Sequence, residues 1–226
     1  AEAPAVLMVY DLMESKYFDV REKPLRWRKE KLEKIVASLH EKAVRLSESV
    51  EKESWEELAR TRELSRKKGV EGFMLKKESS PYRTGRVRGD WWKWKVDPFT
   101  ADAVLIYAQR GHGRRSGLYT DYTFAVWNDS ELVPFAKAYS GLTDSEIATV
   151  DLFIRQNTLE RFGPVRSVKP ELVFEIAFEG IQKSSRHKSG VAVRFPRINR
   201  WRKDKPIDEA DSVENLKSLL RDTESA

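Results

Sequence analysis

Lys93 and Lys95 lie two residues apart in the run Trp91-Trp92-Lys93-Trp94-Lys95. Period-two alternation puts both on one face of a strand. Two cations fixed on a rigid strand suit a polyphosphate, because together they offset charge on neighbouring phosphoryl oxygens. An edge strand guarded by lysines against aggregation would show the same pattern. Upstream, Glu71-Gly72-Phe73-Met74-Leu75-Lys76 is an apolar run bracketed by charge, which predicts a buried strand. A polar connection between the two carries Pro81 and three arginines, Arg83, Arg86 and Arg88.

Two further stretches could bind phosphate. From Lys183 to Lys205 there are nine Lys/Arg against one acid, Asp204. Interleaved with Phe195 and Trp201, this tract suits a nucleic-acid backbone. Its candidate contacts are Lys183, Arg186, Lys188, Arg197 and Arg200. The segment Arg110 to Gly117 holds Arg110, Arg114 and Arg115 among three glycines, so its backbone can approach a ligand closely. It lies between predicted strands and lacks the helix a dinucleotide fingerprint requires. A mobile basic hairpin is the plain reading, and DNA phosphate contact is the preferred one.

The elements that must position these residues follow from pattern and caps. Residues 5 to 13 form an apolar run of strand length ending in Tyr10-Asp11. Pro24 opens a helical pattern with Leu25, Leu32, Ile35, Val36 and Leu39 on one face. Ala43 to Val50 predicts a short strand. Ser54 with Glu57 is a capping box for a helix ending near Lys68-Gly69. Asp97-Pro98 breaks the strand before it, and the domain boundary is placed there, giving domains 1–96 and 97–226. Val104 to Gln109 and Tyr119 to Trp127 predict strands. Thr143 with Glu146 predicts a second capped helix reaching about Arg161, with Gly163 just past its end. Leu172 to Phe178 and Gly190 to Phe195 are expected to form a closing hairpin, and Asp211 and Glu214 to open a last helix through about Arg221. Strands, one helix, then a hairpin fit a five-stranded OB barrel.

Composition limits the rest. The 226 residues suffice for one large domain or two small ones, and the net charge is +6. Charged residues make up 35% and mean hydropathy is negative, which predicts a soluble chain with no membrane partner. No apolar run approaches the roughly 20 residues needed to cross a bilayer. No leader pattern is visible, so an intracellular, cytoplasmic and nucleoid-associated location is expected. Cysteine is absent, which excludes disulfides and thiolate metal sites, and three scattered histidines argue against zinc.

Residues 71–76 followed by WWKWK resemble motifs IV and V of the covalent nucleotidyltransferases, the superfamily of ATP-dependent DNA ligases and mRNA capping enzymes. In ligases these read approximately EGhhhK and WhKhK, where h is apolar. LMVYDLM resembles motif III, whose aromatic stacks on adenine. KPLRWRKEKL resembles the segment that follows it. Residues 194–205 resemble motif VI at the end of a ligase OB domain, approximately RFPR followed by RxDK. The phrases GHGRRSGLYTDYTFAVW and PELVFEIAFEGIQ are similar to the bacterial or archaeal type of ligase, with a leaning to the bacterial form that carries an N-terminal DNA-binding domain.

The resemblance implies an α+β chain: a partial nucleotidyltransferase (ATP-grasp-like ligase) domain, then a five-stranded OB-fold β-barrel. It implies that Tyr10 holds adenine, with Asp11 on the ribose or metal side, and that Glu71 approaches Mg²⁺. Lys93 and Lys95 would contact the ATP α-phosphate, flanked by Arg88. Arg202, Asp204 and Lys205 would engage the β- and γ-phosphates. Such ligases attack ATP with a lysine in a KxDG motif, and no KxDG occurs here. The expectation is therefore a C-terminal portion of a ligase, with nicked double-stranded DNA and the N-terminal portion of the same ligase as partners. A non-catalytic OB-type DNA-binding module and a capping guanylyltransferase fragment are the rival readings.

Overall fold

The computed structural model describes residues 5–224, so residues 1–4 and 225–226 of the expected domains lie outside the described residues. The chain divides into two compact units, Ala1–Val96 and Asp97–Ala226. Among the described residues, no helix is long and apolar enough to cross a membrane.

The first unit contains β1 (Leu7–Val9), β2 (Glu14–Ser15), β3 (Phe18–Asp19), α1 (Leu25–Leu39), β4 (Val44–Leu46), α2 (Trp55–Glu63), β5 (Gly72–Lys76) and β6 (Trp91–Lys95). The apolar run at 5–13 yields only the short β1, parallel to β4, and Leu7 and Met8 stay exposed because no second layer covers them among the described residues. α1 has no side-chain cap; its leading amides Leu25 N–H and Arg26 N–H instead donate to the carbonyls of Ser80 (2.9 Å) and Glu78 (3.0 Å). Helix starts leave such amides unpaired, and here the connection between β5 and β6 supplies their acceptors. α2 stops at Glu63, five residues before the expected end, and its capping box is half formed. Ser54 Oγ accepts from Glu57 N–H (3.2 Å), while the Glu57 carboxylate turns to Glu53 N–H (3.4 Å).

β5 and β6 pair antiparallel, with Gly72 opposite Lys95, Met74 opposite Lys93 and Lys76 opposite Trp91. Gly72 sits at φ +133°, and a Cβ there would lie 2.3 Å from the Trp94 carbonyl oxygen. Only glycine permits this approach. The alternate face meets α2: Trp94 packs edge-on against Trp55 (5.9 Å) and beneath the Arg62 guanidinium (4.9 Å). The lysines therefore project from the other face.

The second unit contains β7 (Phe99–Arg110), β8 (Tyr119–Asn128), β9 (Glu131–Ala138), α3 (Asp144–Gln156), β10 (Thr158–Phe162), β11 (Val165–Val168), β12 (Val173–Phe178), β13 (Gly180–Lys183), β14 (Val191–Arg194), β15 (Arg197–Trp201) and α4 (Val213–Glu224). β7 to β9 form a meander; β12 returns beside β7, and β15 pairs with β12. Ile198 N–H donates to Ser140 O (2.9 Å), joining the β15 end of the sheet to the chain just after β9. These five strands form the OB barrel, and the β10–β11 hairpin extends the sheet to seven. At the closure Gly141 has φ +116°, and a Cβ there would lie 1.8 Å from Ile198 O. The core holds Phe124, Phe174, Ile176, Phe178, Ile154 and Leu216, all fully buried.

Three expectations are corrected here. The helix from Thr143 ends at Gln156, and Gly163 (φ +57°) turns the β10–β11 hairpin instead of capping the helix. Leu172–Phe178 does not pair with Gly190–Phe195: β14 pairs with β13, while β12 lies between β7 and β15. Ser212, not Asp211, caps α4, its Oγ accepting from Asn215 N–H (3.2 Å). Sequence pattern alone does not mark β9. Its Pro134, opposite Ala125, sits next to the register shift that skips Phe135, and a bulge of this kind is where a strand tolerates proline.

Candidate functional site

In the first unit the face of β5–β6 that carries the lysines gathers most of the predicted nucleotide-binding residues. Lys76 Nζ lies 4.1 Å from the Trp91 ring centre and 4.7 Å from that of Tyr10, so Tyr10 is brought onto this face. Lys76 was not among the predicted site residues. Burial pushes its amine below the usual lysine range, partly opposed by the Asp11 charge. Tyr10 also hydrogen-bonds Tyr82 and raises that phenol. Met74, opposite Lys93, is exposed on the same face and adds an apolar contact surface that charge-based reasoning overlooked.

The cations on this face are not equivalent. Lys95 pairs with Glu71 at 2.8 Å, so the predicted metal-side carboxylate and one predicted phosphate ligand meet each other. Lys93 is exposed, and Arg88 is exposed in the connection between β5 and β6. No cluster of three metal-ligating side chains occurs among the described residues. Mg²⁺ keeps several waters and needs only one or two carboxylates beside substrate phosphates, so Glu71 fits it only with a nucleotide present. Asp11 takes a different role from the expected one. Its carboxylate, buried, accepts from Arg28 Nε (2.7 Å) and Nη2 (3.0 Å), and Arg28 is fully enclosed. Asp11 is therefore a structural counter-ion.

In the second unit, the three residues resembling motif VI do come together, on a partner that sequence reasoning missed. Asp102, on β7, accepts through Oδ2 from Arg202 Nη1 (2.7 Å) and Lys205 Nζ (2.8 Å). Asp204 accepts from the other edge of Arg202, and this hydrogen bonding holds its carboxyl at about 2 while raising the guanidinium. The available signal was an acid inside an otherwise apolar strand, which requires a cationic partner when buried.

The predicted DNA contacts divide into two sets. Arg197 pairs with Glu179 (2.9 Å), Arg200 with Glu175 (3.0 Å) and Arg115 with Asp144 (2.9 Å). Arg186 and Lys188 are exposed at the tip between β13 and β14, with Lys183 at the end of β13. Arg114 is exposed beside a hollow of about 580 Å³ lined with His112, Arg115 and Asp144, and Arg110 lies over the Tyr119 ring (5.9 Å).

A family model described as "ATP dependent DNA ligase domain" matches residues 1–95, and one described as "ATP dependent DNA ligase C terminal region" matches residues 115–205. A "Probable DNA ligase" of Koribacter versatilis is 45% identical over 169 residues, 75% of this chain and 29% of the relative. "DNA ligase 1" of Korarchaeum cryptofilum is 34% identical over 220 residues, 96% of this chain and 40% of the relative. The chain thus spans well under half the length of the curated relatives it matches. A solved structure described as a structure-function analysis of Lig E DNA ligases, 18% identical, covers 86% of this chain and 62% of its own with a TM-score of 0.61, which supports the fold. Successive parts of one family's enzymes are matched in the order in which the two compact units occur, and the chain belongs to the ATP-dependent DNA ligase family.

Proposed function

We propose that this chain is the C-terminal portion of an enzyme that seals nicks in duplex DNA through enzyme-AMP and DNA-adenylate intermediates. Residues 1–96 would be the second half of its adenylation domain and 97–226 its OB domain. The single observation that carries this reading is the β5–β6 face, where Lys93 and Lys95 project beside Lys76, Met74 and Tyr10. Tyr10 and Met74 offer flat and apolar surfaces to a purine, and Lys93 and Lys95 offer charge to its α-phosphate, flanked by Arg88. Glu71 would hold Mg²⁺ together with the nucleotide's own oxygens, leaving Lys95 to the phosphate.

The preceding portion of the same ligase would supply the nucleophilic lysine. The exposed Leu7 and Met8 on β1 support a further layer there. Arg202 and Lys205, with Asp204 held on the outer edge of Arg202, would act at the β- and γ-phosphates, since displacement at the α-phosphorus needs cations at the departing pyrophosphate. Arg110, Arg114, Arg115, Lys183, Arg186, Lys188, Arg197 and Arg200 would contact the DNA backbone in a cytoplasmic, nucleoid-associated enzyme.

The test is Lys93→Ala in the intact ligase, followed by incubation with α-labelled ATP and Mg²⁺ and a denaturing gel. Loss of labelled protein is expected. Normal labelling and normal sealing of a nicked duplex would refute the assignment.

A further inference from the structure

The cluster around Arg202 is asymmetric. Asp102 is 8% exposed, and its Oδ1 is buried without a hydrogen-bond partner while Oδ2 receives both cations. Its backbone is fixed on both sides: Asp102 N–H donates to the Asp211 carboxylate (2.7 Å), and Asp211 N–H donates to Asp102 O (2.8 Å). The Arg202 backbone is pinned as well, its N–H donating to Val173 O (2.9 Å). Arg202 and Lys205 are thus held side by side on a rigid inner carboxylate.

Asp204 is the opposite case, with a side chain 67% exposed. It clasps the outer edge of the same guanidinium, with Nε at 3.1 Å from Oδ1 and Nη2 at 2.9 Å from Oδ2. Two oxygens on the Nε–Nη2 edge reproduce the bidentate way in which arginine takes a phosphoryl group. The formal charges of Arg202, Lys205, Asp102 and Asp204 sum to zero, so in this arrangement the cluster presents no net charge to a polyanion.

We propose that Asp204 is a displaceable stand-in for a phosphoryl group, and that Asp102 is the anchor that keeps Arg202 and Lys205 together when a terminal phosphate takes Asp204's place. This rests on the reading of the cluster as a polyphosphate site. The exchange is cheap on the outer edge, because the Asp204 carboxylate passes into water. It is prohibited on the inner edge, where losing the cations would strand a buried carboxylate. Asp102 is a positioning residue, and the two acids act in opposite directions on the same ligand.

The experiment is calorimetric titration of the chain with inorganic tripolyphosphate at low salt. Asp204→Ala, which removes an exposed side chain, is expected to bind about three- to tenfold tighter than wild type. Asp102→Asn is expected to bind more weakly than wild type, and Arg202→Ala most weakly. Damage to the fold lowers affinity and does not raise it, so the gain in Asp204→Ala is the decisive readout. Unchanged or weaker binding by Asp204→Ala, or no binding by either it or wild type, overturns the inference; so does wild-type affinity in Asp102→Asn. If Arg202→Ala and Lys205→Ala both bind as wild type does, the polyphosphate reading of the cluster falls. A weakened Arg202→Ala beside an unchanged Asp204→Ala removes the stand-in alone.

Discussion

Replacing Asp11 by alanine should strongly destabilise the first unit. Arg28 has no exposed surface, and two of its nitrogens donate to Asp11 at 2.7 and 3.0 Å. Its third, Nη1, donates to Ser80 O at 3.1 Å and to Lys23 O. Removing one partner of a buried pair costs about 3–5 kcal/mol, because the remaining charge has no counter-ion. The carbonyls stay in place around Nη1, so the lower end, about 3 kcal/mol, is expected. That is a large share of the roughly 5–15 kcal/mol that holds a domain together. Asp11→Asn keeps an acceptor oxygen and loses only the charge, for about 1.5–2 kcal/mol. Five of the seven tryptophans lie in the first unit, so urea unfolding followed by tryptophan fluorescence reports chiefly on it. With a slope of about 1–3 kcal/mol per molar urea, Asp11→Ala should lower the midpoint of that transition by at least about 1 M. A shift below about 0.3 M would refute the argument that the pair is a buried, coupled unit. A cycle with Arg28→Met should return a coupling energy of about 2 kcal/mol or more.

Three further outcomes follow from the same geometry. The Asp204 carboxyl should titrate near 2, below the usual value of about 3.9. The stabilising contact with Arg202 is then complete above about pH 4 and lost as pH falls through 2, and carboxylate NMR showing a midpoint near 4 would contradict it. Gly141→Ala should cost more than about 2 kcal/mol, read as a lowered unfolding midpoint of the second unit, because its Cβ would collide with Ile198 O at 1.8 Å. Lys76 should acquire half its final acetylation rate at a lower pH than the average of the other lysines, measured by mass spectrometry of competitive labelling. An ordinary midpoint would mean that burial between Tyr10 and Trp91 does not desolvate the amine.

The paired strands β5 and β6 were legible because alternation, flanking charge and glycine all point one way over a short span. The hairpin of β10 and β11 was not: Thr158 to Phe162 followed by Gly163 reads locally as the last turn of a helix with its glycine stop. Pairing of β11 with β7, some 58 residues upstream, overrides that local preference. Asp11 and Asp102 show the same limit in the site. Each is an acid in an apolar run, and each finds its cation 17 or 100 residues away. No periodicity within a window can reveal such a partner. The clustering of Lys93, Lys95 and Glu71 was readable for the opposite reason, since one register of one hairpin sets it.

The pairing of Arg197 with Glu179 and of Arg200 with Glu175 changes what the count of positive charges means. A bare cation that meets a DNA phosphate releases a condensed counterion, and that release makes affinity fall with salt by about 0.9 in logarithmic slope per contact. An arginine already holding a carboxylate merely swaps one anion for another and leaves the local ion atmosphere nearly unchanged. Arg114, Arg186 and Lys188 form no ion pair among the described residues, so they should set the salt slope, whereas Arg197 and Arg200 should set geometry. The tract from Lys183 to Lys205 would then behave as two populations, one felt at a distance and dulled by electrolyte, the other felt only on contact.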